Sequence, residues 1–138
     1  MKSVPATPRA RILVVDDSLF TRTVLVSDLK KAGYVVDAAE SVAEALETAA
    51  RHAPDVALLD IFLGDNGSGL DVARSLRNEP LTARTFIIAV SGHYAPDCMR
   101  LARSAGCDRF FVKPCATELL VETIEQFFGR APAAAAGS

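Results

Sequence analysis

At 138 residues, half of them apolar, the chain has the size and composition of a single domain with a real hydrophobic core. Its formal charge of -2, without any long run of Lys or Arg, gives no electrostatic footprint for direct nucleic-acid binding, and its apolar runs are too short to span a bilayer. Cys98, Cys107 and Cys115 are odd in number and lack C-x-x-C spacing, so they read as reduced, buried or idle thiols; the opening MKSVPATPRAR has no signal-like apolar stretch, and a cytoplasmic protein is expected.

Residues 1–10 read as a leader. Residues 11–16 (RILVVD) are a continuous apolar run closed by acid, the signature of a strand buried on both faces of a parallel sheet. From Ser18 the pattern turns helical, with Leu19, Arg22, Leu25, Leu29 and Ala32 expected along one side, and Gly33 stands where a helix end wants positive φ. Residues 34–38 form a second strand, and Ser41 followed by Glu44 is a capping box that opens a second helix, which Pro54 cannot continue.

Val56–Asp60 (VALLD) is a third strand, followed by a glycine-rich loop around Gly64, Gly67 and Gly69 and a helix ending near Asn78. Phe86–Ser91 is the fourth strand, Pro96 suits the first turn of a helix ending at Gly106, residues 109–113 (RFFVK) are the fifth strand and residues 117–128 the last amphipathic helix. Residues 130–138, rich in Ala and Pro, read as a disordered tail. Strict alternation of apolar strands with helices predicts an α/β fold: one doubly wound, five-stranded parallel sheet covered on both faces, within a single domain over residues 11–129.

In such a sheet, ligands gather beyond the carboxyl ends of the strands. Here those ends carry Asp16 and Asp17, Asp60, Ser91, and Lys113 followed by Pro114. Two carboxylates about 4 Å apart repel by roughly 4 kcal/mol at an effective dielectric of 20, so the cluster calls for a counter-ion. Oxygen ligands without His or Cys favour a hard cation, and few protein ligands with room for water favour Mg2+. A carboxylate so placed, beside a hydroxyl and an ammonium, suits covalent phosphoryl transfer; Asp60, alone at the end of the third strand, is the best nucleophile. Asp16 and Asp17 are better placed to hold metal and its waters, and as acids at the start of the first helix they also complement its dipole.

With Asp16-Asp17, Asp60, Ser91-Gly92 and Lys113-Pro114 in this order at strand ends, the chain resembles the receiver domains of two-component response regulators. The resemblance implies a flavodoxin-like sheet of order 2-1-3-4-5, the strand order typical of CheY-like receivers. It further implies that Asp60 accepts phosphoryl from a histidine kinase or histidine phosphotransfer protein, with Ser91 and Lys113 pairing to the phosphoryl oxygens. Mg2+ would be held by Asp17, Asp60 and the Phe62 backbone carbonyl, with Asp16 acting through water, and the Lys113-Pro114 peptide would be cis. Ser91 and Phe110 match the family's switch, Phe62 and His93 flank the phosphoryl group and tune its lifetime, and the active form binds a downstream protein target.

Several features depart from the pattern or stay open. The loop Leu63-Gly64-Asp65-Asn66-Gly67-Ser68-Gly69 is one residue longer than is common, and Phe110 replaces a tyrosine. Phe20 and Val24 are candidates for a patch that docks a phosphotransfer helix. A stand-alone regulator, a receiver of a hybrid kinase and a phosphorylation-dependent dimer all fit. A flavodoxin-like cofactor carrier does not, because Asp-Asp-Ser-Leu-Phe would repel phosphate, and an interaction-only pseudo-receiver would have lost the acceptor or the lysine.

Overall fold

A computed structural model describes residues 10–92 and 96–129. Within them the chain alternates β1 (Arg11–Val15), α1 (Leu19–Lys31), β2 (Val35–Ala39), α2 (Val42–Arg51), β3 (Val56–Asp60), α3 (Gly69–Asn78), β4 (Phe86–Ser91), α4 (Pro96–Ser104), β5 (Arg109–Val112) and α5 (Thr117–Phe127). The five strands form one parallel sheet in the order β2-β1-β3-β4-β5, as expected. The leader and the tail lie outside the described residues, apart from Ala10, as does His93.

Successive strand residues point to opposite faces, and each face has its own core. Leu13, Val15, Leu59 and Ile87 pack with α2, α3 and α4, whereas Ile12, Val14, Leu58, Ile88 and Val90 pack with Leu29 of α1 and with Leu120 and Ile124 of α5. This explains why β1, β3 and β4 read as unbroken apolar runs. β2 is an edge beside β1, and its side chains are correspondingly more exposed.

β1 ends at Val15, one residue short of the expected Asp16, whose N–H still donates to Ala39 O, and two further boundaries move for hydrogen-bonding reasons. The Tyr34 N–H donates to Leu29 O and closes the end of α1, with Gly33 at φ 100, so β2 begins at Val35 instead of residue 34. β5 ends at Val112, although the Lys113 N–H still donates to Ser91 O at 2.7 Å. The expected buried side of α1 needs a larger correction: Leu29 is buried and Leu25 and Ala32 pack partly against the core, but Leu19 is 70% exposed. Apolar residues surround this helix, and its first position overhangs the carboxyl edge of the sheet, where no described element covers it.

At the opposite edge, Arg77 at the end of α3 ties down two loops. Its guanidinium donates to the carbonyls of Gly106, Ala83 and Thr85 and pairs with Asp108 at 2.8 Å, while Asp108 also accepts from the Ile87 N–H. Hydrogen bonds involving a charged group contribute about 1.5–3 kcal/mol each and are not additive. Arg77→Ala is therefore expected to lower unfolding free energy by about 2–3 kcal/mol in urea denaturation; a loss below about 0.5 kcal/mol would show the clamp to be idle.

Candidate functional site

The first strand carries Asp16 to the carboxyl edge of the sheet and β3 carries Asp60 to the same edge, because β1 and β3 are paired neighbours. Carboxylate oxygens of Asp16, Asp17 and Asp60 all lie within 4.8 Å of one another. Asp16 and Asp60 are buried and Asp17 is exposed. Lys113 reaches in from the end of β5, its Nζ 2.9 Å from Asp16 Oδ2 and 3.2 Å from Asp60 Oδ2. The peptide after it, Lys113-Pro114, is cis.

Asp16 and Asp60 are aimed by the same local device, a backbone N–H two residues on. Asp16 Oδ1 accepts from the Ser18 N–H, and Ser18 in turn caps α1 by accepting from the Thr21 N–H. Asp60 Oδ1 accepts from the Phe62 N–H at 3.3 Å. Asp17 follows directly on Asp16, where the chain leaves the sheet for α1.

The glycine-rich loop is more ordered than its composition suggests. Phe62 and Ser68 form an antiparallel bridge, Leu63 is fully buried, and Gly64–Asn66 makes one 3-10 turn, so the added length is taken up in a closed loop. Gly64 and Gly67 have φ of 61 and 103, a region that only glycine enters readily. Gly69 has another task. A Cβ there would stand 2.2 Å from the carbonyl oxygen of Asp60, so the start of α3 rests directly on the backbone of the acceptor candidate. From the sequence, Gly69 is merely one of three loop glycines.

Strand parity places the remaining residues. Asp60 continues the face of Leu58, on the α1/α5 side, and Ser91 that of Ala89, on the other. Ser91 is fully buried and pairs with Val112 in register; Phe110, two residues earlier on β5, packs against the same core as Ala89. Phe62 is half exposed beside the loop. Phe20 is 78% exposed and Val24 39%, and both line a cleft of about 460 Å3 between α1 and α5 whose floor includes Asp16, Asp60 and Lys113. Among the described residues no helix is long and apolar enough to cross a membrane.

These geometries meet their counterparts in known proteins. The profile of the response regulator receiver domain matches residues 12–125. The chain belongs to that family. Among its relatives, the polar-differentiation response regulator DivK of Brucella ovis is 28% identical over 120 residues, 87% of this chain and 97% of that protein. The chemotaxis protein CheY4 of Vibrio cholerae superposes with a TM-score of 0.80 at 27% identity, covering 86% of this chain and 98% of the other. A response regulator protein from Burkholderia pseudomallei, determined with a phosphorylated aspartic acid, calcium ion and citrate, has a TM-score of 0.76 at 26% identity over 82% of this chain and 65% of the other. This protein is thus a receiver domain of the two-component kind, and its acidic cluster is a set of ligands that can hold a metal ion.

The electrostatics of the receiver site are unbalanced in the absence of a cation. Burial pushes the Asp60 carboxyl above its ordinary range; Lys113 pulls it back, Asp16 adds to the rise, and the net direction is upward. Burial opposes the charged form of Lys113, but the hydrogen bond to Asp16 and the charges of Asp60 and Asp16 outweigh it, so the ammonium is held charged above its ordinary pKa. Burial raises the Cys107 thiol to about 11 and raises that of Cys115, and all three cysteines are free.

A carboxyl whose folded pKa is raised binds more protons in the native state than in the unfolded one. Its cost to stability is fully present above the folded pKa and vanishes below the ordinary carboxylate value. Asp60→Asn should therefore raise the thermal midpoint of the metal-free protein at neutral pH, and the gain should shrink as pH falls through the raised pKa of Asp60. Calorimetry over a pH series checks this; an unchanged or lowered midpoint at neutral pH would contradict it.

Proposed function

We propose that this receiver domain accepts a phosphoryl group on Asp60 from a phosphohistidine donor and thereby switches its binding to a downstream partner. The observation that carries the reading is the approach of Asp16, Asp17 and Asp60 to within 4.8 Å with Lys113 between two of them. In the transfer, a carboxylate oxygen of Asp60 attacks phosphorus, the P–N bond of the donor breaks with its electron pair going to nitrogen, and the ring, protonated on its other nitrogen, leaves as neutral imidazole. The acyl phosphate formed is later hydrolysed by water, which makes the domain a participant in both its own phosphorylation and its dephosphorylation.

A divalent cation suits the site because burial and mutual repulsion already disfavour its negative charges. Mg2+ would be held by Asp17, Asp60 and the Phe62 carbonyl, with Asp16 bonding through water, and when bound it supplies charge neutralisation for the incoming phosphoryl oxygens. Lys113 stays charged and stands 3.2 Å from Asp60 Oδ2, within reach of oxygens on a phosphoryl group joined there. The calcium ion and phosphorylated aspartic acid of the Burkholderia pseudomallei relative support this arrangement.

Because Asp60 and Ser91 come to the edge from opposite faces of the sheet, a group projecting beyond that edge from Asp60 is what brings them together. Movement of the Ser91 hydroxyl toward it frees space on the face that Phe110 shares, and the switch is then a steric one, since Phe110 has no hydroxyl to bond. The altered surface of α4, β5 and α5 carries the signal to the target. Phe62, half exposed next to the acceptor, is placed to govern how water reaches it. His93 is assigned the same tuning role by resemblance alone.

The exposed Phe20 and Val24 beside the acidic floor of the α1/α5 cleft support docking of a phosphotransfer helix there, with its histidine over Asp60. Phe20 and Val24, which the core does not use, are then residues that meet the donor.

Intact-mass measurement after incubation with acetyl phosphate tests the acceptor. A Mg2+-dependent gain of one phosphoryl mass is expected in the wild type and none in Asp60→Asn; an equal gain in the variant would reassign the acceptor. In the same assay, Phe20→Glu should leave labelling by acetyl phosphate within about twofold of wild type while slowing transfer from a histidine phosphotransfer protein at least about tenfold, the scale of one lost hot-spot contact. Equal slowing with both donors would place Phe20 in the chemistry instead of the docking.

A further inference from the structure

We propose that Arg22 is a positioning residue for Asp17: by holding the carbonyl of Asp16, it fixes the peptide that aims the Asp17 carboxylate at Asp16 and Asp60. The inference rests on the metal-assisted reading above and adds to it a group outside the acidic cluster. The sequence pattern assigns Arg22 only to the buried side of α1. In the structure it lies on that side and reaches back to the end of β1.

Asp16 and Asp60 are each held at both carboxylate oxygens. Asp16 is bonded by the Ser18 N–H and Lys113, and Asp60 by the Phe62 N–H and Lys113. Among the described residues no hydrogen bond is seen to the Asp17 carboxylate, which is exposed and has Gly64 as a near neighbour. Its direction therefore depends on its backbone. The peptide joining Asp16 to Asp17 lies just past the end of β1: the Asp16 N–H still donates to Ala39 O at 3.1 Å, the last bond toward β2. Beyond that bond the ladder no longer sets the plane of the chain.

Arg22 takes over at that point. Its Nη1 donates to Asp16 O at 2.9 Å, and its Nη2 lies 3.5 Å from Glu40 Oε1. The Arg22 side chain is only 16% exposed, whereas that of Glu40 is 58% exposed. Glu40 is itself steadied, because its N–H donates to Glu44 Oε1 in the capping box of α2. The guanidinium thus spans from the start of α2 to the carbonyl between the two acids. Rotation of that peptide would break the bond to Nη1 and swing Asp17 away from its partners.

Positioning and charge make opposite predictions for the same substitution. A guanidinium acting by charge alone repels a cation nearby, so its removal would tighten Mg2+ binding. A guanidinium acting by orientation makes its removal loosen it. Groups that orient metal ligands typically change affinity about 10–100-fold when removed.

The test is calorimetric titration of the full chain with Mg2+, for wild type, Arg22→Met and Arg22→Lys, with the metal-free thermal midpoint of each. Met keeps the half-buried stem and deletes the donors; Lys keeps the charge and a donor. The expected result is Mg2+ affinity weakened about tenfold or more in Arg22→Met and retained within about threefold in Arg22→Lys. Affinity in Arg22→Met equal to or tighter than wild type would overturn the proposal. Equal losses in both variants with lowered midpoints would make Arg22 a structural residue and overturn it too. Wild type that binds no Mg2+ would defeat the metal reading itself, and this inference with it.

Discussion

The structure turns on negative charge held out of water at one edge of the sheet. Asp16 and Asp60 are buried at the ends of adjacent strands, and neighbouring carboxylates in a partly desolvated setting repel strongly. Lys113 makes the arrangement tenable by pairing with both. It can do so because β5 lies beside β4, which separates it from β3, and the Lys113 N–H bonds to Ser91 O as the strand ends. One ammonium against three carboxylates leaves an excess of negative charge, which is the property a divalent cation and a transferring phosphoryl group together would use.

Around this edge a packed interior gives way to less buried margins. Two apolar cores, one on each face, fix the strands and hence the spacing of the acids. Phe62, half exposed, Phe110, partly buried against one of them, and the exposed Phe20 of α1 stand at the margins of those cores.

Much of this is legible in the sequence because strands buried on both faces leave little ambiguity. The runs ending in Asp16, Asp60 and Ser91 show both where the strands lie and which residues stand at their ends, and the order of the strands follows from the family resemblance. The α1 pattern misleads because its apolar residues serve two purposes: Leu29 packs in the core, whereas Leu19 and Phe20 face outward. Arg22 looks like one more residue of the buried side, since periodicity shows which way a side chain leaves the helix and not which carbonyl it reaches. The roles of Gly69 and of the closed loop before it are hidden for a related reason. Close backbone approach depends on elements distant in space, and a glycine-rich stretch looks the same whether it is slack or tied.

The contact of Gly69 with the carbonyl of Asp60 bears on how this loop can vary. The chain leaves Asp60 at the end of β3, is stapled to itself between Phe62 and Ser68, and returns to touch the same strand end at Gly69. Between the staple residues Leu63 is buried and Gly64 and Gly67 hold positive φ, so side chains can change freely only at the exposed tip, Asp65 and Asn66, while the strand end stays seated. The residue that seats it has no such latitude, because the space a side chain would occupy is already filled by backbone. A single missing methyl group lets the loop close onto the end of β3.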